Sequence, residues 1–223
     1  MVLAIGIGDF SIDPVSLTEG SKSARIDGRR LRSERTKQLI IEAYLSLLRE
    51  RPVVPMPTAA QIAERAGYSV RSVFERFPDL SKLRLAAADY ALAQAAALAP
   101  PRNVEGNRLT RIKSQVETRA GTCERGVALW RVLLFSVAED EQLRSRVELS
   151  RKRTIERLEI MYRPELSTLP ETERTYTLIA LEAITDHESW ARMREQHGLS
   201  FEAACGVWID AIDRLLPPTP PPA

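Results

Sequence analysis

The side chains of this chain that stand out for chemistry are arginines, and the most telling are Arg71 and Arg76, which with Val70 and Ser72 face outward from the opening turns of a short helical stretch ending at Phe77. A guanidinium is always charged and offers a rigid fork of donors, so it can pair with phosphate oxygens or bidentately with the O6 and N7 of guanine. The opening turns of a recognition helix are what such a helix presents to base edges in the major groove. The catalytic inventory is thin by contrast: two histidines, His187 and His197, with no Gly-rich phosphate loop, no Gly-x-Ser-x-Gly elbow and no His-Glu-x-x-His helix. His187, Glu188 and His197 with Asp186 form the one arrangement that suggests a metal, but two histidines ten residues apart beside a helix break are far more often solvated or capping groups, and no metal is expected. Cys123 and Cys205 are too few and too far apart for a disulfide framework or a zinc site. No cofactor motif is present.

The elements that must position the arginines lie in residues 58 to 77. Ile62, Ala63 and Ala66 fall at i, i+1 and i+4, a narrow edge of small residues that lets a second helix approach closely. Gly67 follows and suits the left-handed residue that ends a helix, Tyr68 is expected to fold inward, and Ser69 is placed to cap the next helix. In that helix Val73 and Phe77 point inward at i and i+4. Upstream, a helix from about Ser33 to Leu48 repeats Leu39, Ile40, Ala43 and Leu47 at helical spacing. Downstream, Asp79 reads as the cap of a long alanine-rich helix running to Leu98. The pattern is a helix-turn-helix, and a simple packing hairpin is its competing reading.

On Gly67-Tyr68-Ser69 and Phe74-Glu75-Arg76-Phe77 the stretch from Arg35 to Ala88 resembles the N-terminal domain of the tetracycline-repressor (TetR) family of transcriptional regulators. The resemblance implies that Val70, Arg71, Ser72 and Phe74 meet DNA, with Thr58, Ser69, Arg76 and Lys82 on the backbone. Phe74 stands where that family usually has a tyrosine, Arg76 where it has a histidine, Leu80 where it has a lysine, and Ala60 where an arginine is frequent. Two polar phosphate contacts are thereby lost at Phe74 and Leu80.

Charge points the same way. The chain of 223 residues carries a formal charge of only +2, yet residues 21 to 98 hold 14 Lys/Arg against 8 Asp/Glu, whereas residues 99 to 223 hold 18 against 19. A basic head supplies phosphate neutralisation and counterion release, although an ordinary solvated basic surface has the same composition. Arg29, Arg30 and Arg32 belong to a basic segment of little apolar periodicity, expected as a disordered arm over residues 1–30 that enters the minor groove or follows phosphates. The run Val2 to Ile7 has no basic flank and is broken by glycine, so it resembles neither a signal peptide nor a membrane span.

With no long period-two alternation, the fold is expected to be all-α. Residues 31–98 form the helix-turn-helix domain with its connecting helix, residues 99–216 a helical ligand-binding and dimerisation domain after the Ala99-Pro100-Pro101 kink, and residues 217–223 an extended, solvated proline-rich tail. The second half is expected to hold helices at 107–120, 123–138, 141–162, 171–196 with a break near His187, and 200–216, with Gly121 among the breakers. It resembles the same family only in layout. That layout implies a homodimer through the last two long helices, with Leu178, Leu181, Glu182, Thr185, Cys205, Trp208, Ile209 and Ile212 as candidates, each equally a core residue of one subunit. It also implies a small-molecule pocket, for which Trp130, Leu133, Leu134, Val137 and Trp190 are candidates and His187, Glu188 or Arg131 are anchors.

The expected protein is a cytoplasmic, dimeric, sequence-specific DNA-binding regulator, a repressor released from a palindromic operator in double-stranded DNA by an unknown small-molecule effector, with no membrane partner. The alternatives are an all-helical interaction module or ligand-binding protein with weakened DNA binding, and an enzyme.

Overall fold

The computed structural model describes residues 19–50, 56–98, 100–138 and 140–221, with the side chains of all but 19–27, 29 and 98. The expectations for residues 1–18 and for the side chain of Arg29 lie outside the described residues. Every regular element among those described is helical: α1 Glu19–Glu50, α2 Ala59–Ala66, α3 Val70–Arg76, α4 Leu80–Leu98, α5 Arg108–Ser136, α6 Glu141–Met161, α7 Arg163–Leu166, α8 Glu171–Ile184, α9 His187–Ala191 running into a π-helical turn at Arg192–Gln196, and α10 Phe201–Leu215. The all-α expectation holds. None of these helices is long and apolar enough to cross a membrane.

The chain divides into residues 1–39 and 40–223. In the first unit Arg30, Leu31 and Arg32 are exposed, Thr36 Oγ1 donates to the Arg32 carbonyl at 2.9 Å, and Lys37 Nζ pairs with Glu34 at 3.2 Å. The first helix starts at Glu19, upstream of the expected Ser33, so residues 19–30 are helical where an unstructured arm was expected. No proline interrupts that stretch, and the helix carries Gly20 and Gly28, each costing about 1 kcal/mol against alanine, within it.

In the second unit an apolar core gathers Ile40, Tyr44, Leu47 and Leu48 of α1, Ile62 and Ala63 of α2, Val73 of α3 with Phe77, Leu83, Ala87 and Ala88 of α4, Leu129, Trp130 and Leu133 of α5, and Leu143 and Val147 of α6. The kink at Pro100-Pro101 therefore falls inside one unit, because α4 buries one face on α1 to α3 and also packs on α5 and α6. A second core joins Ile112, Val116, Ala120 and Cys123 of α5 to Leu158 and Met161 of α6, Leu178 and Leu181 of α8, Trp190 of α9, and Trp208 and Ile212 of α10.

Gly121 does not break α5. The buried stripe Ile112, Val116, Ala120, Cys123 runs through it at helical spacing, and burial of several large side chains outweighs the cost of about 1 kcal/mol for one interior glycine. The break near His187 is real: α8 stops at Thr185, and Asp186 caps α9 by accepting from the Ser189 amide at 2.6 Å. Ser200 caps α10 as expected.

Two departures concern the chain end. Glu165 and Arg111, both buried, form an ion pair that Arg108 joins at 3.9 Å. The tail is extended but not simply solvated, since Arg108 donates to the carbonyls of Asp213, Leu216 and Pro217 and Thr219 Oγ1 donates to Glu165. Leaving either buried charge without the other costs about 3–5 kcal/mol; the neighbours satisfy Glu165 Oε1, whereas Glu165 Oε2 and Arg111 Nε are buried without a hydrogen-bond partner among the described residues.

Candidate nucleic-acid interface and ligand cleft

The turn between α2 and α3 is built from local signals. Thr58 and Gln61 form a capping box: the Gln61 amide donates to Thr58 Oγ1 at 3.3 Å and the Thr58 amide donates to Gln61 Oε1 at 3.0 Å. Gly67 adopts φ 73°, ψ 30°, and the Tyr68 amide donates to the Ala63 carbonyl at 2.9 Å, closing α2. Ser69 caps α3, accepting from the Ser72 amide at 3.1 Å. Arg65 then straps α2 to α1, its two terminal nitrogens each 2.6 Å from the Glu50 carboxylate and one of them 2.9 Å from Ser46 Oγ.

Val73 and Phe77 are buried as expected, and this fixes which face of α3 looks outward. Val70, Arg71 and Phe74 are exposed, Arg71 by 87% of its side chain and Phe74 by 44%. Ser72 is half-buried. Tyr68, expected inside, is exposed, since the backbone bonds of the turn suffice without its ring. Arg71 Nε pairs with Glu75 Oε1 at 2.9 Å, a partner that reading outward positions alone had not weighed. An exposed i,i+4 pair of this kind is worth about 0.3–0.5 kcal/mol, so the guanidinium leaves it readily for a better acceptor. Arg76 is only half-exposed, and its Nε is buried without a hydrogen-bond partner among the described residues. Thr58 and Lys82 are exposed at the starts of α2 and α4, and Lys82 Nζ donates to Gln142 of α6 at 3.3 Å.

Behind the head lies a cavity of about 410 Å³ reached from α1, α4, α5, α6 and α9. Trp130 and Leu133 line it as expected. Leu134 and Val137 pack on the core beside it, and Trp190 lies elsewhere, donating to Glu124 at 2.6 Å and lying against Trp208 with the ring planes 52° apart. Sequence reasoning missed Glu42 and Arg49 of α1 and the small residues Ala88, Ala91 and Ala95 of α4. The alanine run in α4 was the available signal, since short side chains leave room between helices. Of the proposed anchors only His187 reaches the cavity; Glu188 and Arg131 pair with each other at 2.8 Å.

His187 is buried and stacked on Trp130, ring centroids 4.6 Å apart and planes 14° from parallel, with Nδ1 lacking a hydrogen-bond partner among the described residues. Gly126 makes room for it, because a Cβ there would sit 3.1 Å from Nε2. The dimer candidates Leu178, Leu181, Thr185, Cys205, Trp208 and Ile212 are buried within the single chain, and Glu182 and Ile209 are half-buried. The exposed apolar stripe of these helices is instead Tyr176 and Ile179 of α8 with Val207 and Leu215 of α10. Each helix has two apolar faces, and spacing alone did not say which one the chain keeps for itself. Cys123 and Cys205 are free and buried, and burial pushes both thiols up to about 11. No group of three metal-ligating side chains occurs among the described residues.

Burial holds the His187 imidazole well below its usual range, with the positive charge of Arg119 acting in the same direction. In the unfolded chain the ring titrates at about 6.5, so below that pH the unfolded state binds a proton the folded state refuses, and stability falls as pH falls. Urea unfolding between pH 7 and 5 should show this ring contributing up to about 1.4 kcal/mol per pH unit. His187→Phe, which preserves an aromatic ring against Trp130, should remove that share; an unchanged pH dependence would contradict the assignment.

No protein-family model and no curated protein sequence matches the chain. Solved structures do. A TetR-family transcriptional regulator from Streptomyces coelicolor superposes with a TM-score of 0.62 at 17% identity, over 82% of this chain and 80% of that one. A regulator assigned to the same family from Rhodococcus sp. gives 0.58 at 19% identity over 81% and 98%, and a transcriptional regulator from Rhodococcus sp. Rha1 gives 0.57 at 15% over 82% and 99%. The order of helices, the capped turn before α3 and these superpositions together establish that the chain has the all-helical fold of TetR-family transcriptional regulators.

Proposed function

We propose that the protein is a sequence-specific DNA-binding transcriptional regulator, a dimeric repressor released from a palindromic operator by a small molecule held in the cleft behind its head, acting in the cytoplasm. The observation that carries this reading is the outward face of α3. A short helix capped by Ser69 and anchored by Val73 and Phe77 offers Val70, Arg71 and Phe74 to solvent, a combination of arginine fork and apolar contact suited to base edges and thymine methyls. Thr58, Ser69, Arg76 and Lys82 serve as backbone contacts, Ser72 stands with the base-facing residues, and Arg29, Arg30 and Arg32 of the basic segment are phosphate or minor-groove contacts in their own right. Binding rather than catalysis accounts for these groups, which are donors for an anion and include no nucleophile beside a base.

Effector control follows from the shared core. Helix α4 packs on the head at Leu83 and Ala87 and lines the cleft at Ala91 and Ala95. A ligand that favours one arrangement of α4 biases the head by its differential affinity, typically about 1–3 kcal/mol, felt reciprocally as weaker ligand binding on DNA. The second reading, an interaction module with weakened DNA binding, draws on the Arg71–Glu75 pair and on Ala60, Phe74 and Leu80.

Selection from random duplexes tests the assignment. Arg71→Ala should cost about 1–3 kcal/mol and relax one base pair per half-site, whereas Arg76→Ala should weaken all sequences alike and flatten the salt slope by about one unit. A selected motif unchanged by Arg71→Ala would overturn the assignment, and the absence of any motif would favour the interaction module.

Dimerisation is assigned to the stripe of Tyr176, Ile179, Val207 and Leu215, and its two-fold symmetry to half-sites about 34–36 Å apart. Sedimentation should show a dimer for the wild type and a folded monomer for Ile179→Glu with Val207→Glu, both positions being exposed in the single chain. A wild-type monomer at micromolar concentration, or a variant that stays dimeric, would remove the interface.

A further inference from the structure

The charged groups around the cavity behind the head are paired or in water. Arg146 Nε pairs with Asp89 at 2.8 Å, Glu42 accepts from the Tyr90 hydroxyl at 2.7 Å, and Arg49 and Arg125 are exposed, so their guanidiniums stay solvated and add little to any pair. Among the described residues lining the cavity, the buried ones are Ala88, Leu129, Trp130, Leu133 and His187. His187 is the one buried side chain there that can both donate and accept. Its two nitrogens have different surroundings. Nδ1 is sealed from solvent with no hydrogen-bond partner among the described residues, whereas Nε2 lies beside the backbone of Gly126, which also lines the cavity. A Cβ at Gly126 would sit 3.1 Å from Nε2 and 3.4 Å from Cδ2, and no other atom from outside α5 lies within 4 Å of that point, so the missing side chain leaves Nε2 uncovered on that side. The ring is neutral, since burial and the charge of Arg119 both oppose its protonation. A neutral imidazole carries one N–H, and on Nδ1 that N–H would be shut away from every acceptor and from water, so it resides on Nε2.

We propose that the cavity takes an uncharged, compact apolar molecule whose acceptor oxygen, such as a carbonyl, receives the Nε2–H of His187, and that Gly126 is the residue that admits this oxygen. The proposal names the ligand class of the effector site and rests on that reading of the cavity. Its volume of about 410 Å³ is that of a small-molecule site, and Ala88, Ala91, Leu129 and Leu133 offer the apolar body its contacts. A carboxylate brought to His187 sheds its water among buried apolar side chains, which costs more than one hydrogen bond from a neutral ring returns. A cation finds no acid beside the ring and is repelled by Arg119. A pure hydrocarbon fits the walls but leaves the Nε2–H unpaired.

β-Acetylnaphthalene, β-isopropenylnaphthalene and β-naphthoate share one ring system; the alkene replaces the carbonyl oxygen of the ketone by a methylene of similar shape, and naphthoate adds a charge. Titrated into the full chain by calorimetry, the ketone is expected to bind about tenfold more tightly than either of the others, and its carbonyl stretch should move to lower wavenumber on binding. His187→Phe, which keeps a ring against Trp130, should bring the ketone down to the affinity of the alkene and leave the stretch unshifted, with alkene binding retained. Gly126→Ala sets a methyl beside Nε2 while favouring the helix, so it should stay folded by circular dichroism and lose the ketone preference in the same way. Alkene or naphthoate affinity equal to or above that of the ketone, no binding of the ketone up to its solubility limit, or a ketone preference that survives either variant overturns the proposal. Repeating the ketone titration with selected DNA keeps the two readings apart: equal affinity with and without DNA supports the site at His187 and removes only its role in releasing the head.

Discussion

Seven residues are too few to hold an α-helix in water, because nucleation is costly and each added residue returns little. Helix α3 exists because Val73, on its inner face, and Phe77, just beyond its end, are buried, each side chain worth about 1.5–3 kcal/mol on leaving water, against Ile62 and Ala63 of α2 and the apolar face of α1. The rest of the head follows from that need. Ala63 and Ala66 keep α2 thin enough for α3 to approach, Gly67 turns the chain in the left-handed conformation that a side chain would strain, and the caps at Thr58 and Ser69 satisfy the amides that such short helices leave open. Burying Val73 also decides what faces away, so the exposure of Arg71 and Phe74 is the other side of the same packing.

The same core extends past the head. Leu83, Ala87 and Ala88 of α4 pack with Leu129, Trp130 and Leu133 of α5, and Trp130 and Leu133 in turn line the cleft. A close-packed interior responds to a guest by shifting whole elements, so the cleft and α3 are joined through packing as well as through the covalent length of α4. Electrostatics divides along the same lines. Arg71–Glu75 is exposed and weak, whereas Arg111–Glu165 is buried and holds Thr219 of the chain end through Glu165.

What was legible in the sequence is what is decided locally. Caps at Ser69, Asp79 and Ser200 involve residues within one turn, and each is found in the structure, as is the expected break near His187. Gly121 misled because a glycine is a local signal and the buried stripe on both sides of it is not. The choice of face on α8 and α10 was not legible, since Leu178 and Tyr176 are two residues apart on a helix apolar on both sides, and which side is inner depends on α5 and α6. The cleft was half legible: Trp130 and His187 were singled out, but Arg49, Ala91 and Arg125 belong to it only because separate helices converge, which one-dimensional spacing does not record.

The central claim is that this scaffold holds α3 for duplex DNA, and the most direct measurement is affinity for a selected duplex and for a scrambled one, titrated from about 50 to 200 mM salt. Phosphate contacts from the head predict a steep fall for both duplexes, and base contacts from α3 predict that the selected duplex keeps a margin of about 10³ or more throughout. Equal affinity for the two duplexes, or no binding of either at the lowest salt, would contradict the account.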